Sequence, residues 1–323
     1  MKEIKVILMG VGNVGLNVLR ILQTNNERNG GLNVRLVGVS DSHSSVSGKN
    51  LNIQDIIRNK ELNGRVSNNA EIDVAELLKE RADILVDCTP ASRDGSREAD
   101  LYKMAFQNGL DVVTANKSGL ANRWKDIMDS AKKYSRKIRY EATVAGGVPL
   151  FSILDYSIIP SRVIRFRGIV SSTINYVIRN MARGAKLDQV VDEAIRKGIA
   201  ERNPQDDLKG LDAGRKSVIL VNRLFGTTYT LKDVRYEGVK ELPYGENDRL
   251  ITEVYEDNGK PVAISRIASL SEDDFLRHID IDGLGYQIIT DNNGTVNVSD
   301  ISDGPYETAG AVVNDIFILS NKS

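Results

Sequence analysis

Histidine and cysteine are almost missing from this chain of 323 residues, which holds only His43, His278 and Cys88. A single cysteine rules out an internal disulfide framework and points to a reducing compartment. Two histidines argue against a histidine-based metal cage or a Ser-His-Asp triad, so proton chemistry falls to Lys, Asp, Glu or Tyr. A surplus of charge is missing too: 43 basic residues against 44 acidic ones leave a formal net charge of −1. That balance gives no electrostatic case for nucleic acid or an acidic membrane as partner. No run of about 18 apolar residues occurs, and the first residues read as a strand rather than a signal peptide. Prolines are scarce, and the two within the first 150 residues, Pro90 and Pro149, both follow strands. The expectation is a soluble cytoplasmic protein, long enough for two domains with cores of their own.

What is present begins at the N-terminus. An apolar strand, Ile4 to Met9, runs into Gly10-Val11-Gly12-Asn13-Val14-Gly15 and then a helix. In this context the G-x-G-x-x-G spacing predicts dinucleotide binding. Gly10 permits a tight turn, Gly12 lets the backbone approach a pyrophosphate, and Gly15 lets the helix pack close to the strand. Val14, Val18, Leu19, Ile21 and Leu22 supply the helical stripe. Without that context the triplet would read as a plain turn.

Alternation of strand and helix continues. Leu32 to Ser40 reads as a second strand ending at Asp41, where such a fold grips the adenosine ribose; a turn-forming role is the other reading. Helices are expected around 51–58 and 74–79. A third strand, Asp83 to Cys88, delivers Thr89 to the ligand edge of the sheet, with Cys88 a core or crevice-wall residue rather than a nucleophile. A helix over 98–108, a strand over 110–114, a helix over 124–133 and a strand over 138–141 complete an open sheet. Lys117 follows the 110–114 strand and faces either the nicotinamide or plain solvent.

The second half carries denser chemistry. Glu141 to Pro149 joins a strand to an apolar helix through glycines and either holds a cation with the Glu141 carboxylate or simply connects. A strand over 162–171 leads into a helix over 176–182, then a helix over 187–197 closed by Gly198. Glu201, Asp206, Asp207, Asp212 and Lys216 follow within a short stretch. Asp212 and Lys216 stand four apart on one helical face: an ordinary salt bridge, or, among so many acids, a proton shuttle beside carboxylates that bind a substrate ammonium.

These residues resemble the homoserine dehydrogenase family over nearly the whole chain. Its T-x-N-K step is present as Thr114-Ala115-Asn116-Lys117 and its E-A-x-V-G-G-G-[IV]-P segment as Glu141 to Pro149, with Ala145 for one glycine. Its G-I-L-N-G-T-x-N-Y segment stands as Gly168 to Tyr176, with Ser171-Ser172 for Asn-Gly. The long signature G-[YI]-A-E-x-[DN]-P-x-x-D-x-x-G-x-D-A-x-x-K is matched from Gly198 to Lys216. A usually glycine-rich stretch that lies against the cofactor has become Asp303 to Gly310, with Gly304 retained and Tyr306 and Glu307 inserted into it.

The resemblance implies an NAD- or NADP-dependent interconversion of L-homoserine and L-aspartate 4-semialdehyde, serving threonine and methionine biosynthesis. It implies Lys216 as acid/base, with Lys117 and Asp212 assisting; Glu201, Asp207 and Lys117 as substrate contacts; and Gly10, Gly12, Asn13, Val14, Gly15, Asp41, Thr89, Lys117 and Gly304 around the cofactor. A sodium-like ion would lie at Glu141 and the main-chain groups of Val144, Gly146 and Val148. The architecture implied is a Rossmann-like doubly wound domain over residues 1–140, with a C-terminal helix at 305–323 packing back on it, and a mixed α/β substrate and homodimerisation domain over 141–304. That length leaves no room for a fused kinase or amino-acid-sensing domain. A reductase of another semialdehyde would keep the glycine loop without the 201–216 signature, and an impaired relative would bind cofactor without turnover.

Overall fold

The computed structural model describes residues 3–27, 33–68, 72–197, 199–200, 204–241 and 243–321. It divides into two compact units, Met1–Thr143 with Pro305–Ser323, and Val144–Gly304.

The first unit alternates strand and helix in chain order: β1 (Glu3–Met9), α1 (Asn13–Glu27), β2 (Asn33–Ser40), β3 (Ser45–Ser47), α2 (Ile53–Asn63), α3 (Val74–Leu77), β4 (Ile84–Asp87), α4 (Ser96–Gln107), β5 (Asp111–Thr114), α5 (Lys117–Lys133) and β6 (Ile138–Arg139). The sheet order is β3-β2-β1-β4-β5-β6, and every pairing is parallel except that of β3 with β2. Val6, Ile7, Leu8, Leu85, Val86, Val112 and Val113 are fully buried, the signature of strands covered on both faces. After β1 the chain pairs to one side and then crosses to the other, so the order reverses between β1 and β4. In open parallel sheets, ligands bind outside the carboxyl ends of the strands at this reversal.

The second unit is built on β7 (Val163–Ile169), α6 (Ser172–Ala182), α7 (Leu187–Arg196), α8 (Gln205–Leu208), α9 (Leu211–Phe225), β8 (Arg235–Tyr236), β9 (Asp248–Asp257), β10 (Lys260–Ser269), β11 (Gly285–Thr290) and β12 (Thr295–Ser299). Its sheet runs β12-β11-β7-β9-β10-β8, antiparallel except for β10 with β8. Helices α6 and α9 lie on one face. Ile174, Ile178, Ala213 and Leu250 form a shared core there, and the Asn175 amide bonds the Leu250 main chain in both directions, at 3.2 and 2.9 Å.

The last helix, α10 (Pro305–Ser320), belongs to the first unit. Its Val312, Ile316 and Leu319 enter one core with Val18, Leu19 and Leu22 of α1 and Val6 and Leu8 of β1. No helix among the described residues is long and apolar enough to cross a membrane.

Several local expectations are corrected. The helix expected at 124–133 begins at Lys117, because the Asn116 side chain caps it by accepting from the Ser118 N–H. The strand expected through Glu141 stops at Arg139, and Glu141–Thr143 forms a 3₁₀ turn. The helix expected after Pro149 is one π-helical turn, Ile153–Ser157. Helix α6 starts four residues before the expected Tyr176, because the Ser171 hydroxyl accepts from the Ile174 N–H. Gly198, read as a helix cap, lies outside the described residues.

Leu19 is fully buried between β1 and α10. Leu19→Ala is expected to lower unfolding stability by about 2–5 kcal/mol, measured by urea denaturation; a loss under about 1 kcal/mol would show that α1 is not a core element.

Candidate active site

The turn after β1 is fixed by sterics. Gly10 has φ +86°, and a Cβ on it would lie 2.5 Å from the Cys88 carbonyl carbon. A Cβ on Gly15 would lie 1.9 Å from the Gly10 carbonyl oxygen, so this glycine admits the turn itself, not only the strand, against the helix. Around Gly12 a Cβ would meet no protein atom within 4 Å, and Gly12 and Asn13 are exposed. The first turn of α1, Asn13-Val14-Gly15, contains no acidic residue to offset its positive dipole end. A cradle of main-chain N–H groups open to approach and free of carboxylates suits a pyrophosphate.

Asp41, at the end of β2, is buried. Its Oδ1 accepts from the His43 N–H (2.8 Å), the Ser44 N–H (2.8 Å) and the Ser44 hydroxyl (3.1 Å), and its Oδ2 accepts from Lys60 Nζ at 2.7 Å. Burial alone would raise its pKa; the Lys60 ammonium and the loop N–H groups outweigh it and hold the carboxyl below the ordinary range. The turn-forming reading therefore holds for this side chain, which stands at the carboxyl end of β2. Lys60 was not read from the sequence. The signal was there: it follows Ile56 and Ile57, the buried positions of α2, by four and three residues.

Thr89 leaves β4 with its N–H and hydroxyl on Asp87 Oδ1, at 2.9 and 2.6 Å. Asp87 is fully buried, and that burial raises its pKa despite the bonds from Thr89 and from Tyr102 Oη (2.6 Å). Desolvation and the neighbouring Asp87 push the Cys88 thiol well above its ordinary value, which removes it as a nucleophile at neutral pH. Lys117 is the first residue of α5 and half-buried. Glu141 is buried; its N–H donates to Asp315 Oδ2 at 2.8 Å, while Asp315 Oδ1 takes Arg139 Nε at 2.5 Å. Burial lifts the Asp315 carboxyl to about 6. This carboxylate, from the last helix, was not singled out in the sequence.

In the second unit, α9 is buried almost all round, and Lys216 with it. Lys216 Nζ lies 3.0 Å from Asp212 Oδ2 and donates to the Val170 carbonyl at 2.5 Å, so the strand-to-α6 junction and α9 aim one ammonium. Asp207 is half-buried on α8, which packs against α9. Asp206 is exposed and pairs with Arg215 at 3.3 Å instead of joining the lysine. Glu201 lies outside the described residues.

Val144, Gly146 and Val148 lie on a tight loop closed by the Val148 N–H on the Ala145 carbonyl (2.9 Å). Asp303 Oδ1 accepts from the Gly147 N–H at 3.4 Å, and a Cβ on Gly146 would fall 1.9 Å from that oxygen. Gly304 is half-buried beside it, while Tyr306 and Glu307 in the first turn of α10 are exposed. Among the described residues no three His, Cys, Asp or Glu side chains cluster to hold a metal.

Comparisons with known proteins point to one family. The sequence profile for homoserine dehydrogenase matches residues 149–317, and that for the homoserine dehydrogenase NAD-binding domain matches residues 10–141. A homoserine dehydrogenase from Sulfurisphaera tokodaii is 32% identical over 98% of each chain. A crystal structure of a homoserine dehydrogenase from Thermoplasma acidophilum superposes with a TM-score of 0.96 at 69% identity, over 99% of this chain and 100% of that one. A hyperthermophilic archaeal homoserine dehydrogenase in complex with NADPH superposes with a TM-score of 0.88 at 26% identity, over 100% of this chain and 99% of that one. The chain belongs to the homoserine dehydrogenase family, NAD(P)-dependent oxidoreductases that act on a CH–OH group.

Proposed function

We propose that the two units divide the interconversion of L-homoserine and L-aspartate 4-semialdehyde. The first holds NAD or NADP through Gly10, Gly12, Asn13, Val14, Gly15, Asp41, Thr89 and Lys117, and the second binds the amino acid. Gly304 contributes to the cofactor side. The bound nicotinamide supplies or accepts a hydride at its C4. Lys216 gives a proton to the aldehyde oxygen as it becomes the alcohol, and takes it back in the reverse direction. Asp212 and the Val170 carbonyl fix the direction of that ammonium, Lys117 assists at the reacting oxygen, and Glu201 and Asp207 receive the substrate α-ammonium. The observation that carries this reading is the buried Lys216, aimed by two acceptors from separate elements.

A monovalent cation at Glu141 and the main-chain groups of Val144, Gly146 and Val148 belongs to the same reading. Its support is a donor set of oxygens with a single carboxylate, which suits a hard ion of low charge. Homodimerisation through the second unit is supported by Ile159 and Ile164, large apolar side chains exposed on it. A cytoplasmic location is supported by the single, unpaired Cys88.

Lys216→Ala is expected to keep NADH affinity within a few-fold and to cut kcat by at least ~100-fold, the span of general acid–base catalysis. Stopped-flow turnover beside NADH fluorescence titration reads both; near-native turnover would remove Lys216 from the mechanism. Asp207→Ala and Glu201→Ala are expected mainly to raise KM for homoserine, since ammonium binding is shared by ground and transition states. A fall in kcat at unchanged KM would assign them elsewhere.

Cofactor choice turns on Asp41. Its carboxylate opposes a 2′-phosphate by about 4 kcal/mol at about 4 Å and an effective dielectric of about 20, while Lys60 works the other way. The wild type is expected to use NAD well and NADP detectably. Asp41→Ala, which deletes the negative charge and releases Lys60, shifts the kcat/KM ratio toward NADP. A wild-type preference for NADP above about tenfold, on the same scale of opposing charges, would overturn the role of Asp41.

A further inference from the structure

One fully buried carboxylate of the first unit has no part in the roles above. Glu98 lies in the first turn of α4 and is 0% exposed. Its Oε1 accepts from the Ser92 N–H at 2.9 Å, from Arg97 Nη2 at 2.9 Å and from Asn116 Nδ2 at 3.0 Å, and its Oε2 accepts from the Ser92 hydroxyl. Apart from Arg97, its neighbour on α4, these donors sit on two segments far apart in sequence, the loop leaving β4 and the loop leaving β5.

The same donors knit the loops further. Asn116 Nδ2 reaches the Thr89 carbonyl (3.1 Å) and the Pro90 carbonyl (3.2 Å), while its Oδ1 caps α5 at the Ser118 N–H (2.9 Å). The Ser118 hydroxyl closes the ring on the Ser92 carbonyl at 2.6 Å. Gly119 makes room for it, since a Cβ there would lie 2.7 Å from Glu98 Cβ. Burial by itself would raise the pKa of Glu98; the Ser92 hydroxyl and N–H, with Arg97, bring it below the ordinary value, so the group is an anion at neutral pH.

A buried anion is a costly way to join two helices, and an apolar pair of similar volume often does as well or better. The Ser92 and Asn116 donors lie in the loops at the carboxyl ends of β4 and β5, the edge at which parallel sheets bind ligands. We infer that Glu98 is a positioning residue for hydride transfer: it locks the Thr89–Ser92 loop to the Asn116–Lys117 start of α5, so that the nicotinamide end of the cofactor has one pose and Lys117 one origin. This inference rests on the reading that the first unit binds the dinucleotide with Thr89 and Lys117 beside the nicotinamide.

Glu98→Gln preserves volume and turns one acceptor into a donor facing the donors of Ser92, Arg97 and Asn116. The test is carried out on the full chain. NADH affinity is titrated by fluorescence without substrate, and aspartate semialdehyde reduction is followed with NADH and with NADH deuterated at the transferred C4 position. The expected result is a several-fold weaker NADH affinity, a kcat lower by about 10–100-fold, as for sub-ångström to ångström misplacement of reacting groups, and a larger primary deuterium isotope effect. Ser92→Ala, which removes a single donor, is expected to show the same signature in smaller measure and serves where the glutamine variant does not fold. Unchanged NADH affinity and isotope effect in the folded variants, even with a lowered melting temperature, would overturn the positioning role and leave Glu98 a fold contact. A wild-type chain that binds no NADH would overturn this inference together with the cofactor reading beneath it; wild-type binding and turnover with an indifferent Glu98→Gln would overturn this inference alone.

Discussion

The carbonyl oxygen of Gly10 lies 1.9 Å from the point where any side chain on Gly15 would begin, and much of the first unit follows from that contact. Because the turn and the start of α1 touch, α1 runs back along the sheet close enough for Val18, Leu19 and Leu22 to share the core of β1. Because Gly10 also lies against the main chain of Cys88 and Thr89, the ends of β1 and β4 are held together where the strand order reverses. One steric contact thus fixes both the helix dipole that faces a ligand and the crevice in which the ligand lies.

The second unit solves a different problem, holding a charged side chain inside a helix that is buried almost all round. Lys216 is tolerable there because both of its named acceptors are in place, one a turn away on α9 and the other the carbonyl at the end of β7. The antiparallel sheet below accepts the helix through small polar contacts, with the Ser217 hydroxyl 2.8 Å from that of Ser265 and the latter 2.7 Å from Thr252 Oγ1. Such a platform fixes the rotation of α9 about its axis, and hence where Lys216 points.

Legibility in the sequence followed the range of the interactions. The strand–helix alternation of the first unit, the glycine turn and the Asp212–Lys216 pair depend on neighbours within a few residues, and all were readable. So were the β4 and β5 strands, whose apolar runs are continuous. The antiparallel strands from Asp248 to Ser299 drew no reading beyond mixed α/β, because their ladders set partners only in three dimensions: Arg165, Arg167 and Arg266 gather on Glu253 across three strands. The partners of candidate site residues were hidden for the same reason. Lys60 meets Asp41 from another helix, Asp315 meets the Glu141 N–H from the last helix, and Glu98 joins two loops that spacing alone does not connect. Ser171, a departure from the family pattern, is legible in hindsight as a helix cap, a role in which serine is favoured over most residues.

Helix α10 has a consequence for the order in which the protein is made. Residues that finish the first core, Val312, Ile316 and Leu319, leave the ribosome after the whole of 144–304, the stretch that makes up the second unit. All of the second unit's own residues are therefore made before α10, while the earlier-synthesised first unit waits with the α10-facing side of α1 bare. Closing that gap means joining segments separated by the entire second unit, a contact of the kind that slows folding and leaves apolar surface open to wrong partners in the interval. The core beneath the glycine turn, opened by β1 and α1, is complete only once α10 has joined it.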